Sequence, residues 1–221
     1  MQPSEENPRL RLAVFGGSSG AGRELVAQAL ALGYAVKALV RTPAKLALAH
    51  DRLTVVAGDV LDAGCVEQVV QGTDAVLSTL GPSNNRPTFT ISRGMQNILP
   101  AMQKHQVRRL IVSAGAGIRD AQDRPKLLDR VIGLALRLLA NNVRLDMERT
   151  VELVRASDRE WTIVRVPRLV DGPRQKTLQV GYVGEIGQQV TRADLAAFML
   201  QQVTDTRYLY RAPAISNELR I

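Results

Sequence analysis

The residues most able to do chemistry are the string Gly16-Gly17-Ser18-Ser19-Gly20-Ala21-Gly22, set between an apolar run at 10–15 and an amphipathic stretch at 23–32. Glycines at 16, 20 and 22 can take positive φ and let the backbone approach a pyrophosphate, and a helix starting there offers free N–H groups and a partial positive charge. Gly16, Ser18, Ser19, Gly20, Ala21 and Gly22 are therefore candidate dinucleotide contacts. Alone, such a string could be a structural turn; the strand before it, the helix after it and the units that follow favour a cofactor cradle. The second strand ends Val40-Arg41-Thr42, with no acid before Asp51. A carboxylate there would take a ribose 2′-hydroxyl, whereas an arginine accommodates a 2′-phosphate, so Arg41 favours NADP(H) over NAD(H). Lys37 and Lys45 are weaker phosphate candidates, and a merely solvated Arg41 stays open as the alternative.

These residues need a scaffold, and the hydropathy pattern supplies one. Short apolar runs at 10–15, 35–40, 53–57, 75–80, 110–112 and 161–166 alternate with amphipathic stretches at 23–32, 64–70, 88–104 and 144–157. Thr42-Pro43 opens a short helix that Thr42 can cap, 126–140 reads as an apolar helical stretch, and Thr191 caps a last helix ending at Leu200. Strand–helix repeats predict an α/β chain: a Rossmann-type doubly wound parallel sheet, helices on both faces, its ligand beyond the carboxyl ends of the strands. After Pro167 the glycines at 172, 181, 184 and 187 predict irregular chain. The expected organisation is a loose tail over 1–8 and one domain over 9–221, with a small C-terminal segment, 167–190, covering the substrate.

Several motifs together resemble the atypical short-chain dehydrogenase/reductases of the NAD(P)-binding, NmrA-like group, most closely the flavin reductase/biliverdin reductase B type. They are the glycine loop, VRTPAKL at 40–46, GDVLD at 58–62, GTDAVLSTLG at 72–81, RRLIVSAG at 108–115, WTIVRVPRL at 161–169 and TRADLAAFML at 191–200. The resemblance implies that Asp59 and Val60 flank an adenine, that Thr79-Leu80-Gly81 pass under the nicotinamide ribose, and that Pro167-Arg168 border the nicotinamide and substrate pocket. Ser113 is the family-matched hydroxyl for the cofactor or for catalysis, although a catalytic serine could equally align at Gly115. Arg119, Arg168 and Arg174 lie in segments expected to wall the pocket, where they could receive an anionic substrate or act as ordinary surface arginines.

Two features depart from tyrosine-dependent relatives or from the atypical group itself. The loop spacing is G-x-x-x-G-x-G, where most atypical members have G-x-x-G-x-x-G. The Tyr-x-x-x-Lys pair is missing: the residues four places after Tyr34, Tyr182, Tyr208 and Tyr210 are Ala38, Ile186, Ala212 and Ala214, and Arg144 and Glu148 stand in the corresponding helix. With no phenol and ammonium to move a proton, interconversion of alcohol and ketone is disfavoured, and hydride transfer to a conjugated acceptor such as a flavin, a bilin or a quinone-like molecule is favoured. A non-catalytic NADP(H)-sensing regulator, similar to NmrA-like proteins, is the alternative.

Composition narrows the rest. The chain has 221 residues and a formal charge of +8, but aromatics are 4% and no zinc-finger or RNA-recognition spacing occurs, so a nucleic-acid partner is not expected. One cysteine and two histidines leave little for a metal site. Cys65 reads as packed rather than reactive, and His50 and His105 as structural. The polar start has no apolar leader, and 131–140 is too short to cross a bilayer, so a cytoplasmic monomer or homodimer acting on an anionic small molecule is expected.

Overall fold

A computed structural model describes residues 10–81, 85–127, 129 and 140–217. The chain runs β1 (Arg11–Phe15), α1 (Gly20–Ala31), β2 (Ala35–Val40), a 3₁₀ turn (Pro43–Lys45), β3 (Leu53–Ala57), α2 (Ala63–Val70), β4 (Ala75–Ser78), α3 (Thr90–Lys104) and β5 (Arg109–Gly115). It continues with α4 (Asn141–Ala156), β6 (Glu160–Val166), β7 (Arg168–Val170), β8 (Gln179–Gly181), β9 (Gln189–Thr191), α5 (Arg192–Gln201) and β10 (Ala214–Ser216). The large sheet has the order β3-β2-β1-β4-β5-β6-β10-β8. Strands β1 to β6 pair in parallel, β10 joins β6 in parallel, and β8 closes the edge antiparallel to β10. This is the doubly wound order, with its reversal between β1 and β4.

Both faces of the sheet are covered, which explains why its strands read as unbroken apolar runs. Along β1, Ala13 and Phe15 enter the core under α2, α3 and α4, with Met95, Ile98, Met102 and Val151. Leu12 and Val14 enter the opposite core under α1 and α5, with Leu25, Val26, Ala29, Leu195 and Met199. Side chains alternate between the faces with the strand period of two.

The structure corrects several expectations. Helix α1 begins at Gly20, three residues ahead of Arg23, because the Ser19 hydroxyl caps it by accepting from the Gly22 amide at 3.0 Å. Thr42 is extended and makes no side-chain cap, so the 3₁₀ turn rests on Pro43 at its first position. The chain after Pro167 is less irregular than expected: β7 and β9 form a small parallel pair, and β8 and β10 extend the main sheet. Of the expected helical stretch at 126–140, residues 128 and 130–139 lie outside the described residues, as does the tail at 1–8.

Candidate functional site

At the carboxyl ends of β1 to β4 a cleft of about 610 Å³ opens, at the point where the strand order reverses. Its floor is Gly16, Ser18 and Ser19; one wall is Leu39, Arg41, Thr42 and Lys45; Gly58, Asp59 and Val60 close another, and Thr79, Leu80 and Gly81 follow β4 into it. Nine of the expected cofactor residues thus converge: Gly16, Ser18, Ser19, Arg41, Asp59, Val60, Thr79, Leu80 and Gly81.

The glycine loop earns its composition by close approach more than by unusual torsions. Only Gly16, of the glycines at 16, 20 and 22, has a positive φ, of 87°. A Cβ there would stand 2.9 Å from the Thr79 backbone, so Gly16 lets β1 and β4 deliver their ends side by side. Gly20 and Gly22 are helical, which corrects the expectation of positive φ at both. At Gly22 a Cβ would overlap the Gly16 carbonyl, and at Gly20 it would meet the Arg192 side chain. The turn is thereby drawn tight at the start of α1, whose first amides lack intrahelical acceptors, an arrangement suited to a pyrophosphate.

The wall opposite carries charge. Arg41 and Lys45 are exposed and form no ion pair among the described residues. Lys37 does not join them, because its Nζ donates to the Gln71 carbonyl at 2.6 Å. Asp59 accepts from the Leu61 amide at 2.9 Å, which fixes the turn after β3. Val60 is held against α3, where Gly94 leaves room for its methyl groups and Asn97 Nδ2 donates to its carbonyl at 2.9 Å. Beneath Gly58 lies Cys65, whose thiol is pushed above its ordinary value by burial and by the Asp62 carboxylate, so it is held as a neutral thiol.

The last wall was not legible in the sequence: Arg86, Thr88, Thr90, Ile91, Asn142, Val143 and Asp146. Helix α3 has no cap of its own, since Phe89 sits in the left-handed region at φ 47° and bonds no amide through its side chain. Asp146 supplies the cap from α4: its carboxylate is 7% exposed and accepts from the Ile91 and Ser92 amides at 3.1 and 2.8 Å. One turn on, the Arg149 guanidinium lies 4.2 Å over the Phe89 ring.

The remaining expected residues sit elsewhere. Ala21 is buried in α1 and, with Gly20 and Gly22, lies behind the cleft lining. Ser113 is half-buried in β5 opposite Val164, and Pro167 links β6 to β7; neither lines the cleft. Arg119 and Arg168 are exposed outside it, and Arg174, also exposed, lies 4.0 Å from Asp194. No tyrosine lines it either. In α4, Arg144 and Glu148 are locked together, Nη1 donating to both carboxylate oxygens at 2.6 Å.

Residues 16–206 match the model of a family described as NAD(P)H-binding. The chain belongs to that family. The NAD(P)H-binding match runs from the first loop glycine to beyond α5, so it takes in every wall of the cleft. Among solved structures, a short-chain dehydrogenase/reductase from Veillonella parvula in complex with NADP is 19% identical, covers 94% of each chain and superposes with a TM-score of 0.76. ChuY from Escherichia coli O157:H7, described as an anaerobillin reductase, is 19% identical over 96% of this chain and 99% of its own, with a TM-score of 0.72. These likenesses establish the fold. A 3-beta-hydroxysteroid dehydrogenase of Mycolicibacterium neoaurum is 28% identical over 120 residues, 49% of this chain, and the chain spans about a third (32%) of the length of that curated relative. Among the described residues no helix is long and apolar enough to cross a membrane.

Proposed function

We propose that this NAD(P)H-binding protein is an NADPH-dependent reductase that passes hydride to a conjugated acceptor of the flavin, bilin or quinone-like kind. The observation that carries the choice of cofactor is the free cationic rim, Arg41 with Lys45, at the end of β2 where a 2′-hydroxyl reader would need a carboxylate. An arginine fork suits a phosphate dianion, and the Veillonella relative holds NADP in the same fold. The glycine loop suits a pyrophosphate, because Gly16 packs against the Thr79 backbone and Gly22 against the Gly16 carbonyl, a tight turn that sets Ser18 and Ser19 on the cleft floor ahead of α1.

In this reading the amides of Ser18, Gly20 and Ala21 hold the pyrophosphate, Asp59 and Val60 flank the adenine, and Thr79 to Gly81 carry the nicotinamide ribose. Ser113 and Pro167 border the nicotinamide, and Arg119, Arg168 and Arg174 draw an anionic acceptor toward that end. The bound reduced nicotinamide supplies the hydride. This chain's groups position and exclude; they do not relay protons. Tyr182 is tied to Gln122 Nε2 at 2.7 Å, Tyr208 packs on Phe198 and Tyr210 on Trp161, and Arg144 is neutralised by Glu148. An acceptor whose reduced form takes its proton from water suits such a site, whereas a ketone does not.

NADPH oxidation followed with FMN, biliverdin and quinones tests the activity. Arg41→Ala tests the cofactor: loss of a charge-assisted hydrogen bond, about 1.5–3 kcal/mol, corresponds to roughly 10- to 100-fold weaker NADPH binding with little change for NADH. Equal losses for both would show that Arg41 does not read the phosphate. Tight NADPH binding with no turnover over the whole panel would overturn the reductase in favour of an NADP(H)-sensing regulator.

A further inference from the structure

Arg192 occupies a place that charge alone does not favour. It opens α5, yet its Cδ and Nε lie where a Cβ on Gly20 would stand, 2.7 Å away. Gly20 is the first residue of α1, so a guanidinium stem is laid against the positive end of a helix whose first N–H groups lack intrahelical acceptors. Two positive elements brought together in this way call for an anion. The carboxylate now answering Arg192 is Asp171, whose Oδ1 lies 2.8 Å from Nη1, but Asp171 is 92% exposed and such a pair is weak and salt-screened. Asp194, three positions from the start of the same helix motif, is not available to replace it. Its carboxylate already accepts from Thr191 Oγ1 at 2.7 Å, Asn217 Nδ2 at 2.7 Å and the Gln175 amide at 3.1 Å. Arg192 is thus an arginine clamped by its stem on the glycine loop, with an exchangeable surface partner at its tip.

We propose that Arg192 is a phosphate-binding residue of the dinucleotide site, its guanidinium leaving Asp171 for the pyrophosphate seated on the Ser18–Gly22 loop. Asp171 is a placeholder anion that competes with the ligand. The proposal rests on the glycine loop being the dinucleotide site, as read above. It also accounts for Gly20 without invoking an unusual torsion: any side chain there would evict Arg192.

Calorimetric binding of NADPH and of adenosine 2′-phosphate to the full chain and its variants tests this. The smaller probe carries the adenine and the 2′-phosphate but no pyrophosphate. Arg192→Gln is expected to weaken NADPH by about tenfold or more and to leave adenosine 2′-phosphate unchanged, a selectivity that a general loosening of the fold would not produce. Asp171→Asn, by removing the competitor, is expected to tighten NADPH severalfold, and to do nothing when Arg192 is already glutamine. Gly20→Ala should reproduce the Arg192→Gln loss. Unchanged NADPH affinity in Arg192→Gln, equal losses for both probes, or weaker NADPH binding in Asp171→Asn would overturn the inference and leave the site standing. Failure of the unmodified protein to bind NADPH at all would overturn both.

Discussion

Replacing Asp123 by alanine removes the carboxylate that answers the most deeply buried charge among the described residues. Arg165, on β6, is 0% exposed. Its Nη1 and Nη2 donate to the two Asp123 oxygens at 2.8 Å each, its Nε to the Ala212 carbonyl at 2.7 Å and Nη1 also to the Ile118 carbonyl at 2.8 Å. Asp123 accepts in addition from the amides of Asp120 at 2.8 Å and Val183 at 3.1 Å. The pair therefore ties the loop after β5 to the loop after β8. Alanine would strand the guanidinium with two carbonyls and orphan two amides, and breaking a buried pair from one side costs about 3–5 kcal/mol. At roughly 2–4 °C per kcal/mol for a chain of this size, Tm should fall by about 6–20 °C. The double variant Asp123→Leu/Arg165→Met, which removes both charges, should recover most of the loss. Urea unfolding followed by circular dichroism measures both; a loss under about 1 kcal/mol, or a double variant no better than the single, would refute the reasoning. Acid adds a second check. Burial pushes the Asp123 carboxyl up, but the Arg165 guanidinium and the Asp120 and Val183 amides pull it down harder, leaving it below the ordinary carboxylate value. Since the folded pKa is depressed, the unfolded chain takes the proton first as pH falls. The gap between wild type and Asp123→Ala should hold from neutral pH down to about 4 and narrow below it.

Two further outcomes are expected. Asp146→Ala uncaps α3 and should destabilise the protein by about 1–3 kcal/mol while weakening NADPH severalfold, because Thr90 and Ile91 of the uncapped turn line the cleft; calorimetry with Asp146→Asn, which retains one acceptor, should give intermediate values. Gly22→Ala drives a methyl into the Gly16 carbonyl and should cost more than about tenfold in NADPH affinity while the far-ultraviolet spectrum is kept; unchanged affinity would mean that the start of α1 does not shape the cradle.

The six main strands were legible to within a few residues, and two of them, Ala35–Val40 and Leu53–Ala57, coincide with their apolar runs. The reason is local: β-branched and apolar residues cluster within each short run, and a turn residue soon after it, Thr42-Pro43 beyond β2 and Gly58 beyond β3, breaks the chain. The short strands β8 and β10 left no such mark. Each has three residues; β10 exists because β6 and β8 offer it hydrogen bonds, and β8 because β10 does, conditions that no segment carries by itself. Helix α1 was read three residues short because glycine is a poor helix former; Gly20 and Gly22 are helical because their missing side chains make room for Arg192 and for the Gly16 carbonyl.

By itself, then, the sequence determined the alternating architecture, the glycine-rich loop between β1 and α1, the cation at the end of β2 and the want of a tyrosine–lysine pair, all of which are properties of residue type and spacing along one segment. The tertiary structure alone decided which distant side chains complete the cleft. Asp123 beside Arg124 reads as ordinary surface charge, yet it is the partner of a buried arginine on β6, and Asp146 caps a helix that begins at residue 90. Such pairings follow from how α4, β6 and α5 pack against the sheet, and pairing energies that appear only after that packing leave no local signature.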